Sequence, residues 1–265
     1  MVNKQRLTGK RIVLTGASGA IGAAASEDLL ALGARVVGID ARPEGDVLPA
    51  DVTDRSQVRE AMAEAARRLG GIDTLVNCAG IGAAQDAGDY PDEEARRILD
   101  VNFFGAWNAT AAAMPELLAS GGHVVNVLSG LAMVDVPYAA AYAASKRALE
   151  AYTSALRLEY AGRLGVTAVY PGYVRTAIHD RSLEQGVSLE DVARAERVDQ
   201  AAAAVVRACA GSSRRVTVTW RSAVEFWLAR HWPWAVERIV GGRLRRGMAR
   251  RPVPPFLRYP RVPTP

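Results

Sequence analysis

Cysteine is scarce in this chain. There are two, Cys78 and Cys209, in 265 residues, which excludes a disulfide framework. The three histidines, His123, His179 and His231, are scattered, and there is no CxxC, no HExxH and no histidine pair at helical spacing. No metal centre is expected on that basis. No segment reaches the roughly 18 uninterrupted apolar residues of a membrane span. The first fifteen residues hold several charges and then a short apolar run. They lack the apolar stretch and small-residue cleavage site of a secretory signal, so a cytoplasmic location is expected. With 49% hydrophobic and 23% charged residues, the composition is that of an ordinary globular protein rather than a disordered one.

What charge there is lies unevenly. The net charge is +5, but from Arg214 onward twelve arginines and no lysine face only Glu225 and Glu237. That segment carries +10, which leaves −5 on residues 1–213. Four of the five tryptophans, Trp220, Trp227, Trp232 and Trp234, fall in the same segment. An acidic body without a recognition motif argues against nucleic-acid binding.

Short apolar runs alternate with longer amphipathic segments. Strands are expected at 11–16, 34–40, 47–52, 72–80, 122–129, 165–172 and 215–220. Helices are expected at 20–32, closed by Gly33, at 54–69 with Asp54 as its cap, and at 92–119, 139–162 and 198–209. Continuous apolar strands separated by helices specify an α/β domain, a doubly wound parallel sheet of the Rossmann type covered on both faces. Such sheets bind ligands at the carboxyl ends of their strands.

Thr15-Gly16-Ala17-Ser18-Gly19-Ala20-Ile21-Gly22 joins the first strand to the first helix. Small residues there let the backbone approach a pyrophosphate, and the helix N-terminus offers free N–H groups. Asp40 ends the second strand, 24 residues after Gly16. A carboxylate at that place accepts hydrogen bonds from ribose hydroxyls and repels a 2′-phosphate, which favours NAD over NADP. Arg42 is the competing feature, since it can pair with a 2′-phosphate or neutralise Asp40.

Tyr142 and Lys146 stand at i and i+4 on an expected helix, so both side chains share one face. A phenol is a poor base at neutral pH, and a nearby ammonium lowers its pKa. The pair is then suited to take a proton from an alcohol or give one to a carbonyl. Ser129, at the end of the fifth strand and 13 residues before Tyr142, can hold the substrate oxygen. By itself a YxxxK pair on a helix is common; together with the strand-end serine and the upstream glycine turn it is far more specific.

This pattern resembles the short-chain dehydrogenase/reductase (SDR) family over about residues 8–220. The resemblance rests on TGASGAIG (15–22), Asp51-Val52, NCAG (77–80), Asn102 in VNFFG, Ser129, Tyr142-xxx-Lys146, and Pro171-Gly172 followed by Thr176. It implies that Tyr142 is the general acid/base and that Ser129 orients and polarises the substrate oxygen. Lys146 would lower the Tyr142 pKa and hold the nicotinamide ribose. Asn102 would bend its helix and support a proton-relay water. The dinucleotide would be held by the turn from Gly16 through Ser18, Gly19, Ala20 and Ile21 to Gly22, and by Asp40. Asp51 and Val52 would flank the adenine. Asn77, Ala79 and Gly80 would line the cleft, with Pro171, Gly172, Val174 and Thr176 near the nicotinamide. Two positions depart from the family pattern. Ala20 replaces its second glycine, and Cys78 stands where asparagine is frequent; it reads as a small buried side chain rather than a nucleophile.

The expected organisation is a catalytic domain over 1–220 and a basic, Trp-rich helical and Pro-rich extension over 221–265. The segment from Arg175 to about Val198, with Ile178, His179, Leu183 and Val187, reads as a lid, with a short helix near 188–196 and His179 on its surface. Leu131, Met133, Val134, Val136, Pro137 and Tyr138 are expected to form another pocket wall, which suits a hydrophobic alcohol or ketone. In the extension, 226–240 is amphipathic and Pro233 suits the first turn of a second helix. Its apolar face is expected to pack on the body or a partner subunit, with peripheral membrane contact as the alternative. Residues 252–265, with six prolines, are expected to run extended. The long helices 92–119 and 139–162 form a dimer seam in the family, implying a homodimer or homotetramer. The reading is an NAD-dependent oxidoreductase interconverting a hydrophobic, secondary alcohol and its carbonyl compound. Alternatives are an NADPH-dependent ketone reductase and a non-catalytic dinucleotide-binding protein. A sugar-nucleotide epimerase would need a larger substrate domain.

Overall fold

The computed structural model describes residues 4–188 and 194–248. Seven strands form one sheet: β1 (Arg11–Thr15), β2 (Arg35–Asp40), β3 (Leu48–Pro49), β4 (Thr74–Asn77), β5 (His123–Val127), β6 (Gly165–Tyr170) and β7 (Arg215–Thr217). They are parallel in the order β3-β2-β1-β4-β5-β6-β7. The winding reverses between β1 and β4, which opens a crevice at the carboxyl ends of those two strands. Thr15 pairs in register with Ile39 and Asn77, and Asn77 with Asn126. The residues that follow each of these strands therefore emerge at one rim.

Alternation along the strands feeds two cores. Ile12, Leu14, Val76, Val125 and Val169 face α1 (Ala20–Ala31) and α7 (Val198–Ala210). Val13, Val37, Leu75, Val124 and Val166 face the other layer, built from α2 (Arg55–Leu69), α4 (Ala106–Ser120) and α5 (Ala140–Glu159). In α2 the buried residues Val58, Ala61, Met62, Ala65 and Leu69 form one helical stripe. Asp54 caps that helix by accepting the N–H groups of Ser56 and Gln57, and Gly70 ends it at φ 76°. Gly33, at φ 87°, follows α1 as expected.

Several expected elements differ. The strand at 47–52 shrinks to Leu48–Pro49, an edge position where the missing N–H of proline is tolerated. The single helix at 92–119 is divided into α3 (Glu93–Leu99), a π turn at Asp100–Gly105 and α4. The seventh strand ends at Thr217, and Trp220 opens α8 (Trp220–His231) instead. A short α6 (Asp180–Glu184) appears in the lid. The short helix expected near 188–196 falls largely on residues outside those described, as does the proline-rich end at 252–265.

Pro233 does begin the next helix, α9 (Pro233–Met248). The extension presents two characters. Phe226 packs against Tyr170 with ring centroids 6.2 Å apart, and Ser222 and Ala229 are buried. Trp220, Trp227, Trp232 and Trp234 do not pack on the body and stay exposed on this chain.

Candidate active site

The first turn is shaped by glycine. Gly16 has φ +73°, and a Cβ there would lie 2.6 Å from the backbone N of Ala79. A Cβ on Gly22 would collide with the carbonyl oxygen of Gly16. The hydroxyl of Thr15 accepts the N–H groups of Cys78 and Ala79 at 3.3 and 3.4 Å, which fixes the facing turn. Ala20 lies inside α1 without a positive φ, so the family's glycine is not required there. The N-cap of α1 is Gly19, with no side chain bound to the first turn, whereas Asp54, Asp92 and Thr219 cap other helices. A close-approach backbone and an uncapped helix N-terminus have the space and the donors a pyrophosphate needs. Ile21 lies half-buried against the core.

Asp40 is tied to this turn. Its carboxylate accepts the N–H of Ser18 at 3.0 Å and that of Arg42 at 2.9 Å, while the Ser18 hydroxyl accepts the N–H of Glu44 at 3.2 Å. Among the described residues no ion pair joins the Arg42 guanidinium to Asp40. On the adenine side, the Asp51 carboxylate accepts both the N–H and the O–H of Thr53 and lies 3.8 Å from Arg97. Val52 is buried, and its side chain fills the space over Gly105, where a Cβ would lie 2.5 Å from Val52 Cγ2.

Asn77 departs from its expected place along the cleft. Its side chain is buried and turns into the protein, donating to Thr110 Oγ1 at 3.0 Å and to Asn126 Oδ1 at 2.8 Å. Asn126 in turn donates to Thr153. This polar ladder ties β4 and β5 to α4 and α5, so its role is to hold the strand ends. Ala79 and Gly80, just beyond, do face the rim residues.

Asn102 sits in the π turn with its amide fully used. Its oxygen accepts the N–H of Ile81 at 2.8 Å, and its nitrogen donates to the Ile81 carbonyl and to Ser145 Oγ, both at 3.0 Å. The bend in the helix and the clamp on Ile81 belong together, because the extra residue of a π turn re-aims a side chain. A Cβ on Gly80 would lie 3.2 Å from Asn102 Oδ1 and 3.5 Å from Lys146 Nζ. Glycine there lets both groups approach the same point.

Ser129 stands near enough to the Tyr142 phenol to pull its pKa down, and its Oγ accepts the N–H of Leu131 at 3.2 Å. The N–H of Gly130 donates to the Pro171 carbonyl at 2.6 Å, joining the serine turn to the Pro171-Gly172 loop. Lys146 is buried and donates from Nζ to the Val127 carbonyl at 3.1 Å, with Nζ 5.7 Å from the centre of the Tyr142 ring. The expected lowering of the phenol pKa is not found in the protein alone. Burial pushes Tyr142 up to about 12, against a smaller downward pull from Ser129. Burial likewise pushes Lys146 down to about 8. Cys78 is pushed up to about 11 by burial and is no thiolate at neutral pH, in keeping with a structural role.

On the nicotinamide side, Gly172 donates its N–H to the Glu196 carboxylate at 2.7 Å, and Val174, buried, forms a parallel bridge to Glu196. Thr176 is half-buried and leads into a single turn at Ala177–His179. The lid lies down on the body. A Cβ on Gly82 would meet the Ile178 carbonyl at 3.2 Å and Tyr142 Cδ2 at 3.5 Å. Gln185 brackets Ala84, accepting its N–H at 2.8 Å and donating to its carbonyl at 3.2 Å. Arg181 pairs with Glu94 at 3.1 Å. His179 is not a surface residue: it is half-buried, 4.9 Å from the Tyr173 ring, and burial lowers its pKa. Leu183 points outward, 49% exposed, and does not line the pocket. Sequence reasoning missed Glu196 and Gln185, each an isolated polar residue in a loop with no motif around it.

A parallel doubly wound sheet with a glycine turn, an acid after β2 and a Ser–Tyr–Lys cluster at one rim defines a dinucleotide-dependent oxidoreductase. The pattern of the short chain dehydrogenase family matches residues 10–186. The chain is 33% identical over 207 residues to D-beta-hydroxybutyrate dehydrogenase of Rhizobium meliloti, covering 69% of this chain and 80% of that protein. It superimposes on a short chain dehydrogenase from Burkholderia cenocepacia in complex with NADP, with a TM-score of 0.76 and 30% identity over 88% of this chain and 98% of that one. It also superimposes on 3-ketoacyl-(acyl-carrier-protein) reductase from Brucella melitensis complexed with NADH, with a TM-score of 0.72 and 27% identity over 80% of this chain and 97% of that one. The chain belongs to the short-chain dehydrogenase family. It is an NAD(P)-dependent oxidoreductase acting on CH–OH groups.

Proposed function

We propose that the protein is an NAD-dependent dehydrogenase that interconverts a hydrophobic secondary alcohol and its ketone. The observation that carries this reading is the cluster of Tyr142, Ser129 and Lys146 at one rim, with Ser129 and Lys146 buried and Lys146 Nζ 5.7 Å from the centre of the Tyr142 ring. The turn from Gly16 to Gly22 and Asp40 would hold the dinucleotide, Gly80 and Lys146 its ribose, and Pro171, Gly172, Val174 and Thr176 its nicotinamide end. The dinucleotide supplies the hydride acceptor or donor when bound.

The remaining chemistry belongs to this chain. Ser129 Oγ donates to the substrate oxygen and fixes it beside Tyr142 Oη. Tyr142 takes the hydroxyl proton in oxidation and returns one to the carbonyl oxygen in reduction. With a pKa of about 12 in the protein alone, Tyr142 is protonated at neutral pH, the form reduction requires. Oxidation requires additional positive charge in the cleft, from Lys146 and from an oxidised nicotinamide, to favour the phenolate. Asn102 orders the Ile81 backbone and the π turn behind Lys146. Met133, Val134 and Ile178 give the substrate side its apolar character, which favours a hydrophobic alcohol.

Asp40 carries the preference for NAD. Its carboxylate, already anchored by Ser18, would repel a 2′-phosphate. We also propose a homo-oligomer formed through the π turn, α4 and α5, where Phe104 and Trp107 are half exposed, Leu158 is 74% exposed, and Trp107 stacks on Tyr152 at 4.7 Å.

The decisive variant is Tyr142→Phe, assayed on a panel of hydrophobic secondary alcohols with NAD. Turnover should fall by roughly a hundred- to ten-thousand-fold while NADH binding stays near wild type. A variant that turns over within a few-fold of wild type overturns the role of Tyr142. A wild-type protein that oxidises none of the panel overturns the substrate class.

A further inference from the structure

We propose that α8 and the start of α9 form a face that docks on an anionic lipid bilayer. The case begins with the spacing in α8. Ser222, Phe226 and Ala229 recur at i, i+4 and i+7 and face the protein. Trp220, Val224, Trp227 and His231 recur at i, i+4, i+7 and i+11 and face away, with Trp220 73% and Trp227 52% exposed. At about 100° per residue, Arg221 and Arg230 fall on the two flanks of that outward stripe. The indole stripe is braced from within: Trp227 lies 4.6 Å from the His231 ring and 5.5 Å from Trp232, and Arg221 lies over Trp220 at 5.7 Å. Trp232, Trp234 and Ile239 extend the exposed apolar surface into α9, with Arg238 exposed beside them.

Tryptophan at the centre and arginine at the margins is the arrangement of a helix lying in a membrane interface, its rings at headgroup level and its guanidinium groups reaching phosphate. Neither helix is long and apolar enough to cross a bilayer. Charge selects the occupant. From Arg214 onward the chain carries +10 while residues 1–213 carry −5, so an anionic surface attracts the segment that holds this face and repels the rest of the chain; on the face itself Arg221, Arg230 and Arg238 stand against Glu225 and Glu237. A symmetric self-contact through the same face would bring two copies of this +10 segment together. The face is also joined to the active site by direct contacts. Thr219 and Ser222, at the start of α8, bond to Glu196, which holds Gly172. Phe226 closes over Gly130, next to Ser129. A docked bilayer would lie about one helix diameter, roughly 10 Å, from the serine turn. Delivery of an apolar substrate from the bilayer rests on the reading above; the docking itself does not.

The test uses the full chain and vesicles of phosphatidylcholine, with or without phosphatidylglycerol. The protein should sediment with the anionic vesicles and not with phosphatidylcholine alone. Its tryptophan emission should shift to the blue, and about 0.5 M salt should release it. Two triple variants, Trp220→Ala/Trp227→Ala/Trp234→Ala and Arg221→Gln/Arg230→Gln/Arg238→Gln, should each weaken binding on the order of tenfold or more while dinucleotide binding is unchanged. Absence of binding to anionic vesicles overturns the proposal, as does binding that neither variant weakens. A change of molecular mass by light scattering in the tryptophan variant, without vesicles, also overturns it and makes the face a subunit seam.

Discussion

The Glu196 carboxylate accepts the backbone N–H of Gly172 at 2.7 Å, and its other oxygen takes the hydroxyls of Thr219 and Ser222. Three segments distant in sequence meet at this one side chain. A Cβ on Gly172 would come within 3.0 Å of the same carboxylate carbon, so the loop is seated closely on it. Replacing Glu196 by Ala strands the Gly172 N–H and frees the cap of α8. The expected loss is about 1–3 kcal/mol of stability together with weaker NADH binding, read by thermal melting and fluorescence titration. Melting and binding equal to wild type would show that the knot holds nothing in place.

Gly16→Ala and Ala20→Gly make a matched pair. The first puts a Cβ at φ +73° and 2.6 Å from the Ala79 backbone. It should cost about 2 kcal/mol or more and abolish dinucleotide binding. Ala20→Gly places a glycine at the first position of a helix that needs none there and should cost less than about 0.5 kcal/mol without improving binding. Tighter binding by Ala20→Gly would mean that the extra methyl obstructs the phosphates. Denaturant melts and NADH titrations read both.

The pH dependence of stability between neutrality and about 5 should report His123 together with His179, whose pKa burial also lowers, above the range in which carboxylates dominate acid unfolding. Burial holds the pKa of His123 down at about 4, and its Nε2 lies 2.9 Å from Thr167 Oγ1. The unfolded chain takes up a proton as pH falls past 6.5, whereas the folded protein does so only near 4. The contribution is therefore fully present above 6.5 and lost as pH falls towards 4. It amounts to at most about 3 kcal/mol. His123→Gln should flatten the slope in denaturant melts at stepped pH. An unchanged slope would assign it to other groups.

Much of this arrangement was legible because it depends on local rules. Asp54 before an amphipathic run, Gly33 after one, and Pro233 at the start of another are signals that act within a turn of their own helix. The glycine turn and the Tyr142–Lys146 spacing are equally local. What could not be read depends on contacts far along the chain. The bend at Asn102 is implied by the family resemblance alone: the π turn at Asp100–Gly105 is set by Asn102 reaching Ile81, 21 residues away, and nothing in VNFFG itself breaks the helical pattern. The inward turn of Asn77 depends on Thr110 and Asn126, on other elements. The pKa of Tyr142 was expected to fall because spacing reveals a neighbouring charge; the burial that raises it is a property of the whole fold. Trp220 and Trp227 stay exposed because Ser222, Phe226 and Ala229 take the inward face of α8, a choice made by contacts such as Phe226 on Tyr170.

The most direct test of the cofactor reading is a titration of the full chain with NADH and, separately, NADPH, followed by tryptophan fluorescence and thermal shift. With Asp40 at the ribose, NADH should bind roughly tenfold or more tightly than NADPH and stabilise the protein more. Tighter binding of NADPH would contradict this and make Arg42 the residue that reads the ribose, with ketone reduction as the reaction to assay.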